Sequence, residues 1–182
     1  LTLSPLIGKS YSSIYGQTAP SNKVKVALIG CRSMGYGDLN TFLDYPETEC
    51  VALCDVDDEW LNKRAADVEK KTGKKVPHLY KDWRRVIDNK DVDVVIIGTP
   101  DHWHCLPTVW ACQAGKDVYV EKPLSNTIEE CNLMEKAARK YNRIVQVGQW
   151  QRSDPHWDEA ANFLKVGNIG RIRTVKVWAY QD

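Results

Sequence analysis

The sequence predicts an α/β protein built on a doubly wound parallel sheet. Three observations carry that prediction. Short, nearly continuous apolar runs rich in β-branched residues recur along the chain, as in residues 24–29 (VKVALI) and 93–97 (DVVII), and such runs suit strands buried on both faces. Between them lie stretches with apolar residues at helical spacing. The two kinds of segment alternate throughout, which right-handed βαβ crossovers accommodate in one sheet.

The elements follow in order. Strands are expected at 24–29, 49–54 (ECVALC), 93–97, 117–120 (DVYV) and 144–147 (IVQV), with a shorter one near 76–80 and a helix near 83–87 filling the remaining gap. Leu39, Phe42 and Leu43 give the first helical face, Leu61, Ala65 and Val68 the second, and Leu106, Val109, Trp110 and Ala114 the third. Ile128, Cys131, Met134, Ala138 and Tyr141 give the fourth, with Ser125 or Asn126 as its N-cap. Residues 155–166 (PHWDEAANFLKV) form a further helix, which Gly167-Asn168-Ile169-Gly170 ends. Residues 171–180 (RIRTVKVWAY) are β-rich and read as a last strand.

A lone terminal strand is an exposed edge, so a second domain is expected to begin there. The expected organisation is a leader or linker over 1–22, a Rossmann-type domain over 23–150, and a connecting helix and first strand of a second domain over 151–182. Residues 1–7 (LTLSPLI) read either as the end of an apolar export-signal core, which places the protein outside the cytoplasm, or as a plain leader.

Composition excludes several classes. The 182 residues carry 25 Lys+Arg against 24 Asp+Glu, a formal charge of +1, so nucleic-acid binding through a broad basic surface is not expected. Apolar residues make up 43% and charged residues 27%, a globular balance, and no run approaches the ~18 apolar residues of a membrane span. The cysteines at 31, 50, 54, 105, 112 and 131 form neither a CxxC pair nor a zinc pattern and read as buried free thiols. His102, His104 and Cys105 are close in sequence, but histidines two apart at a helix start point different ways, and no metal site is expected.

The chemistry sits at strand ends. The first strand runs into Gly30-Cys31-Arg32-Ser33-Met34-Gly35, the position of a G-x-G-x-x-G phosphate-binding turn with Arg32 in place of the second glycine. Gly30 permits the tight turn and Gly35 close helix–strand packing. Arg32 offers a guanidinium to a phosphate or a ribose, and the helix N-terminus attracts the anion. Asp55, 25 residues after Gly30, ends the second strand where an acid binds ribose hydroxyls and disfavours a 2′-phosphate. Together these imply a dinucleotide, with NAD favoured over NADP.

Three more polar clusters fall on the same rim, because ligands of such sheets lie outside the carboxyl ends of the strands. They are Gly98-Thr99-Pro100-Asp101-His102-Trp103-His104, Glu121-Lys122-Pro123 and Gly148-Gln149-Trp150-Gln151-Arg152. With Ala114-Gly115-Lys116-Asp117-Val118 between the first two, the chain from about residue 24 onward resembles the glucose–fructose oxidoreductase / inositol dehydrogenase (Gfo/Idh/MocA) family. Glu121-Lys122-Pro123 is the most distinctive element.

The resemblance implies an NAD(P)-binding Rossmann fold followed in relatives by a larger α/β domain that completes the substrate pocket. It makes Lys122 the residue that orients the reacting carbon and assists proton transfer. Glu121 would bond around the cofactor or hold the lysine, and Pro123 would fix the turn, with a cis Lys122–Pro123 bond in family members. Thr99, Pro100, Trp103, His104 and Gln149 would border the cofactor, and Trp150 and Arg152 would face the substrate. Arg152 reads equally as an interdomain ion-pair residue.

The implied activity is NAD-dependent oxidation or reduction of a sugar, polyol or related ring alcohol, by a protein that is a homo-oligomer at full length. Two alternatives stay open. One is a glycosidase-like enzyme that oxidises a sugar transiently with tightly held NAD. The other is a dinucleotide-binding protein without catalysis. The 182 residues alone are expected to be inactive.

Overall fold

A computed structural model describes residues 23–178. The leader expected at 1–22 and the end of the last expected strand lie outside the described residues. Six parallel strands form one sheet in the order β3-β2-β1-β4-β5-β6. They are β1 (Val24–Ile29), β2 (Thr48–Cys54), β3 (His78–Tyr80), β4 (Val94–Ile97), β5 (Asp117–Val120) and β6 (Val145–Val147). The intervening helices are α1 (Ser33–Phe42), α2 (Asp58–Thr72), α3 (Arg84–Asp88), α4 (Cys105–Gln113) and α5 (Ile128–Lys140). The expected fold class is therefore the observed one.

The central strands form where their sequence can be buried on both sides. Val26, Ala27 and Leu28 of β1, and Val95, Ile96 and Ile97 of β4, are fully buried. One core packs Ala27, Ile29, Val95 and Ile97 with Val86, Ala111, Cys112 and Met134; the other packs Val26, Leu28 and Ile96 with Leu39, Leu61 and Val68. The six cysteines are free, and all but Cys131 are buried. Burial raises the Cys50 and Cys54 thiols to about 12, so they stay protonated and act as small apolar side chains.

Chain order reverses between β1 and β4, which pair directly in register from Val26↔Val94 to Ile29↔Ile97. A crevice opens at the carboxyl ends of strands at such a switch point. The ladder extends into this rim. Gly30 N–H donates to Cys54 O (2.9 Å), Gly98 N–H to Ile29 O (2.8 Å), and Glu121 N–H to Ile97 O (2.9 Å). The turns after β1, β4 and β5 are thus each fixed by a neighbouring strand.

Two expectations need correction. The N-cap of α5 is Thr127, whose hydroxyl accepts from Glu130 N–H, rather than Ser125 or Asn126. Thr127-Ile128-Glu129-Glu130 has capping-box spacing, while Ser125 Oγ bonds the Glu130 carboxylate instead. Residues 171–178, expected as a strand, form none and are exposed. Strand propensity alone does not make a strand, because the backbone groups need a ladder partner.

The chain divides into two compact units, one ending at Gly148 and the other beginning at Gln149. In the second, Asp154 caps helix α6 (Pro155–Lys165), with Pro155 in its first turn. Gly167 and Gly170 follow with positive φ.

Candidate functional site

The rim is built from glycine outward. Gly30 has φ +89°, and a Cβ there would lie 2.7 Å from the carbonyl carbon and oxygen of Gly98 and 2.8 Å from Thr99 N. A Cβ on Gly35 would strike Gly30 O, and one on Gly98 would strike Gly35 Cα. Gly30, Gly35 and Gly98 therefore bring the turns after β1 and β4 into backbone contact. The motif gives the first two; the contact that Gly98 makes with them emerges only from the pairing of β1 with β4.

Arg32 stands at the N-cap of α1 with φ −85° and ψ 170°, extended backbone that any residue adopts. This is how the turn tolerates a residue other than glycine. No acidic side chain occupies the first turn of α1, and the early N–H groups of a ten-residue helix lack intrahelical acceptors. Ser33 and Met34 are exposed beside them. The arrangement suits an anion.

Asp55 is held by the backbone. Its Oδ2 accepts from Cys31 N–H (2.7 Å) and its Oδ1 from Asp57 N–H (3.0 Å). Each oxygen keeps a lone pair, so the carboxylate is aimed before any ribose reaches it. Arg32 makes no side-chain cap bond to α1 and pairs with Asp57 (Nη2 to Oδ2, 2.5 Å), with its guanidinium carbon 5.6 Å from the Trp60 ring centre. The expected free guanidinium is therefore an ion-paired one. Arg64 completes this side. It donates to Cys31 O (3.2 Å), pairs with Asp67 (2.7 Å) and lies 4.0 Å over the Tyr36 ring.

The loop after β4 is braced from beneath. His104 is 1% exposed. Its Nδ1 lies 2.7 Å from Pro123 O and its Nε2 2.8 Å from Thr99 O. Both ring nitrogens face protein carbonyls, and whichever carries the N–H donates to one of them, so His104 sits as a tie between the loop after β4 and the loop after β5. Thr99 Oγ1 donates to Trp103 O (3.3 Å), and Pro100 and Trp103 are exposed.

After β5 the Lys122–Pro123 bond is cis and the Lys122 side chain is exposed. Glu121 is 4% exposed. Its Oε2 accepts from Lys122 N–H (3.1 Å), while Oε1 has no partner among the described residues. A Cβ on Gly148 would strike Oε1 and lie 3.2 Å from the Tyr119 hydroxyl. Asp38 of α1 carries a second buried oxygen without a partner among the described residues. Burial, then the Glu121 charge, raises its pKa to about 7. Burial, with Asp38 and Glu121 adding, also raises that of Tyr119.

Gln149, Trp150 and Arg152 belong to the second unit, where residues Trp150–Ser153 make a 3₁₀ turn and all three side chains are exposed. The sequence motifs do not reveal Asp38, Asp57 or Trp60. Only the Asp57-Asp58-Glu59 run at the start of α2 is a local signal, that of an N-cap.

The comparisons with known proteins agree with this geometry. Residues 24–149 match the model of a family described as "Oxidoreductase family, NAD-binding Rossmann fold". The chain is 38% identical over 101 residues to a levoglucosan dehydrogenase of Pseudarthrobacter phenanthrenivorans, covering 56% of this chain and 26% of that protein. It is 31% identical over 149 residues to a glycosyl hydrolase family 109 protein of a Shewanella species, covering 79% and 32%. The crystal structure of myo-inositol 2-dehydrogenase from Lactobacillus plantarum superposes with a TM-score of 0.71 at 27% identity, covering 82% of this chain and 43% of that one. The chain thus spans well under half the length of these proteins. With the cradle, the aimed Asp55 and the match over residues 24–149 in hand, the chain belongs to the Gfo/Idh/MocA oxidoreductase family and carries its NAD-binding Rossmann fold.

Proposed function

We propose that this chain is the cofactor-binding part of an NAD-dependent dehydrogenase acting on a sugar, polyol or related ring alcohol. One observation carries the reading: the glycine cradle, the aimed Asp55 carboxylate and Lys122 all stand on a single rim, at the ends of β1, β2 and β5. The residues fit a dinucleotide. Gly30, Gly35 and the N-terminus of α1 would hold the pyrophosphate, Asp55 the adenosine ribose hydroxyls, and Thr99, Pro100 and Trp103 would border the rest. When bound, the nicotinamide supplies the acceptor or donor of hydride.

The chain's own residues do the remainder. Lys122 exchanges a proton with the substrate hydroxyl oxygen as alcohol and carbonyl interconvert. Glu121 holds the Lys122 backbone through its N–H, and His104 holds the loops on either side. In a form extended to the length of its relatives, Lys122→Ala should lower kcat by about 10²–10⁴ and leave NAD affinity within about threefold.

The test of the cofactor reading is calorimetric titration of the 182-residue chain with NAD and NADP. NAD binding that Asp55→Ala weakens supports it; binding of neither nucleotide overturns it. The similarity to a family 109 glycosyl hydrolase favours one second reading, in which sugar oxidation is transient and NAD is regenerated in each turnover. Turnover of a glycoside without added NAD supports that reading, and stoichiometric NADH release argues against it.

A further inference from the structure

We propose that Asp57 is a cofactor-selectivity residue: by pairing with Arg32 it withholds the guanidinium from a 2′-phosphate and keeps this site an NAD site. The inference rests on the NAD reading above and names how the same site discriminates.

Arg32 is the one residue of the glycine turn that could reverse the preference for NAD. An arginine beside the adenosine ribose is what accommodates a 2′-phosphate, and a guanidinium binds phosphate oxygens in bidentate fashion. Arg32 is 62% exposed along its side chain and sits one residue from Cys31, whose N–H already holds Asp55. Sequence position therefore puts it within reach of whatever Asp55 binds.

The structure shows why it is not free. Asp57 is immobilised on two sides. Its Oδ1 accepts from Glu59 N–H (3.0 Å) as the N-cap of α2, and its Oδ2 takes the Arg32 guanidinium at 2.5 Å. The α2 N-terminus favours a negative charge at this point, and the arginine holds the Asp57 carboxyl below its usual range. Trp60, one turn along α2, flanks the same guanidinium. A 2′-phosphate approaching Asp55 would meet two carboxylates, Asp55 and Asp57, with the arginine already paired to the second.

Among the described residues the neighbouring cations are engaged as well: Lys81, just after β3, pairs with Asp58 (2.7 Å). Arg64 is committed to Asp67 and to Cys31 O. Lys63 lies over the Trp60 ring, its Nζ 4.7 Å from the ring centre. Selectivity accordingly turns on the Arg32–Asp57 pair.

Asp57→Asn tests this without removing the cap, since Asn caps helices as well as Asp. The 182-residue chain and its variants are titrated with NAD, NADP, 5′-AMP and adenosine 2′,5′-bisphosphate, with circular dichroism confirming equal helix content. Asp57→Asn should raise affinity for NADP and the bisphosphate about tenfold and change that for NAD and 5′-AMP by less than about threefold. The double variant Arg32→Gln/Asp57→Asn should lose the gain. An unchanged NADP-to-NAD ratio in Asp57→Asn, or a gain that survives in the double variant, overturns the proposal while leaving the NAD reading intact. Failure of the wild-type chain to bind any of the four overturns the NAD reading and this inference together.

Discussion

The two ends of the strand-end rim are completed in opposite ways. Around Gly30 and Asp55 the polar groups are satisfied by protein. Asp55 takes two backbone N–H groups, Asp57 takes a backbone N–H and a guanidinium, and Arg64 is shared between a carbonyl and a carboxylate. Around β5, Glu121 and Asp38 each present a buried carboxyl oxygen with no donor among the described residues. The first end is a recognition surface whose acceptors are aimed in advance, which reduces what binding must order. The second holds carboxyl groups close together at low solvation, and that arrangement is sensitive to protonation. The difference predicts that changes at the first end act through geometry and changes at the second through pH.

The largest effect should come from the cradle. Gly30→Ala must fit a Cβ 2.7 Å from the Gly98 carbonyl at a φ of +89°, where both the conformation and the space oppose it. The expected loss is about 3 kcal/mol, read by urea denaturation, with NAD affinity falling more than tenfold in whatever remains folded. A loss under about 1 kcal/mol would mean that the turns after β1 and β4 are not locked together, and the contrast between the two ends would weaken.

His104 links the two ends, and its removal should cost somewhat less. His104→Ala leaves Thr99 O and Pro123 O without their ring partner and opens space at a buried position. The expected cost is about 2–3 kcal/mol. Hydrogen exchange should quicken in the loops after β4 and β5 and change little at Cys31 and Asp57, whose N–H groups answer to Asp55. Uniform quickening across the rim would show that His104 supports the whole sheet rather than this junction.

What was legible in the sequence divides along the same line. The apolar runs of β1 and β5 predict bounds that match the structure, because burial on both faces is written locally. The Gly30-to-Gly35 turn and Asp55 are legible for the same reason, since spacing along the chain sets their positions. Contacts made by tertiary pairing are not. Arg32 meets Asp57 across 25 residues, and Asp38 and Glu121 come together only because α1 lies over the sheet near β5. Residues 171–178 mark the limit from the other side: their β propensity is plain, yet without a ladder partner it produces no strand. The family resemblance puts His104 at the border of the cofactor, while its burial and its position between Pro123 O and Thr99 O come only from the folded chain.

The smallest effect is the one that separates the two ends by pH. Burial and the Glu121 charge raise Asp38 from the usual 3.8 to about 7, so the folded chain binds this proton more tightly than the unfolded chain. The stabilisation is fully present below about pH 4 and is lost as pH rises through 7. Asp38→Asn removes the titrating group while keeping its shape. The variant should match the wild type near pH 4 and exceed it at pH 8, by about 1 kcal/mol once the solvent around this half-buried side chain is allowed for. Glu49 and Asp57, held low by Lys74 and Arg32, push stability the other way with pH, but they are common to both proteins and cancel in the difference. Urea melts of the pair from pH 4 to 8 therefore isolate Asp38. A difference that does not grow across that range would mean that neither burial nor the Glu121 charge holds the Asp38 proton, and the β5 end would then be as well satisfied as the end that holds Asp55.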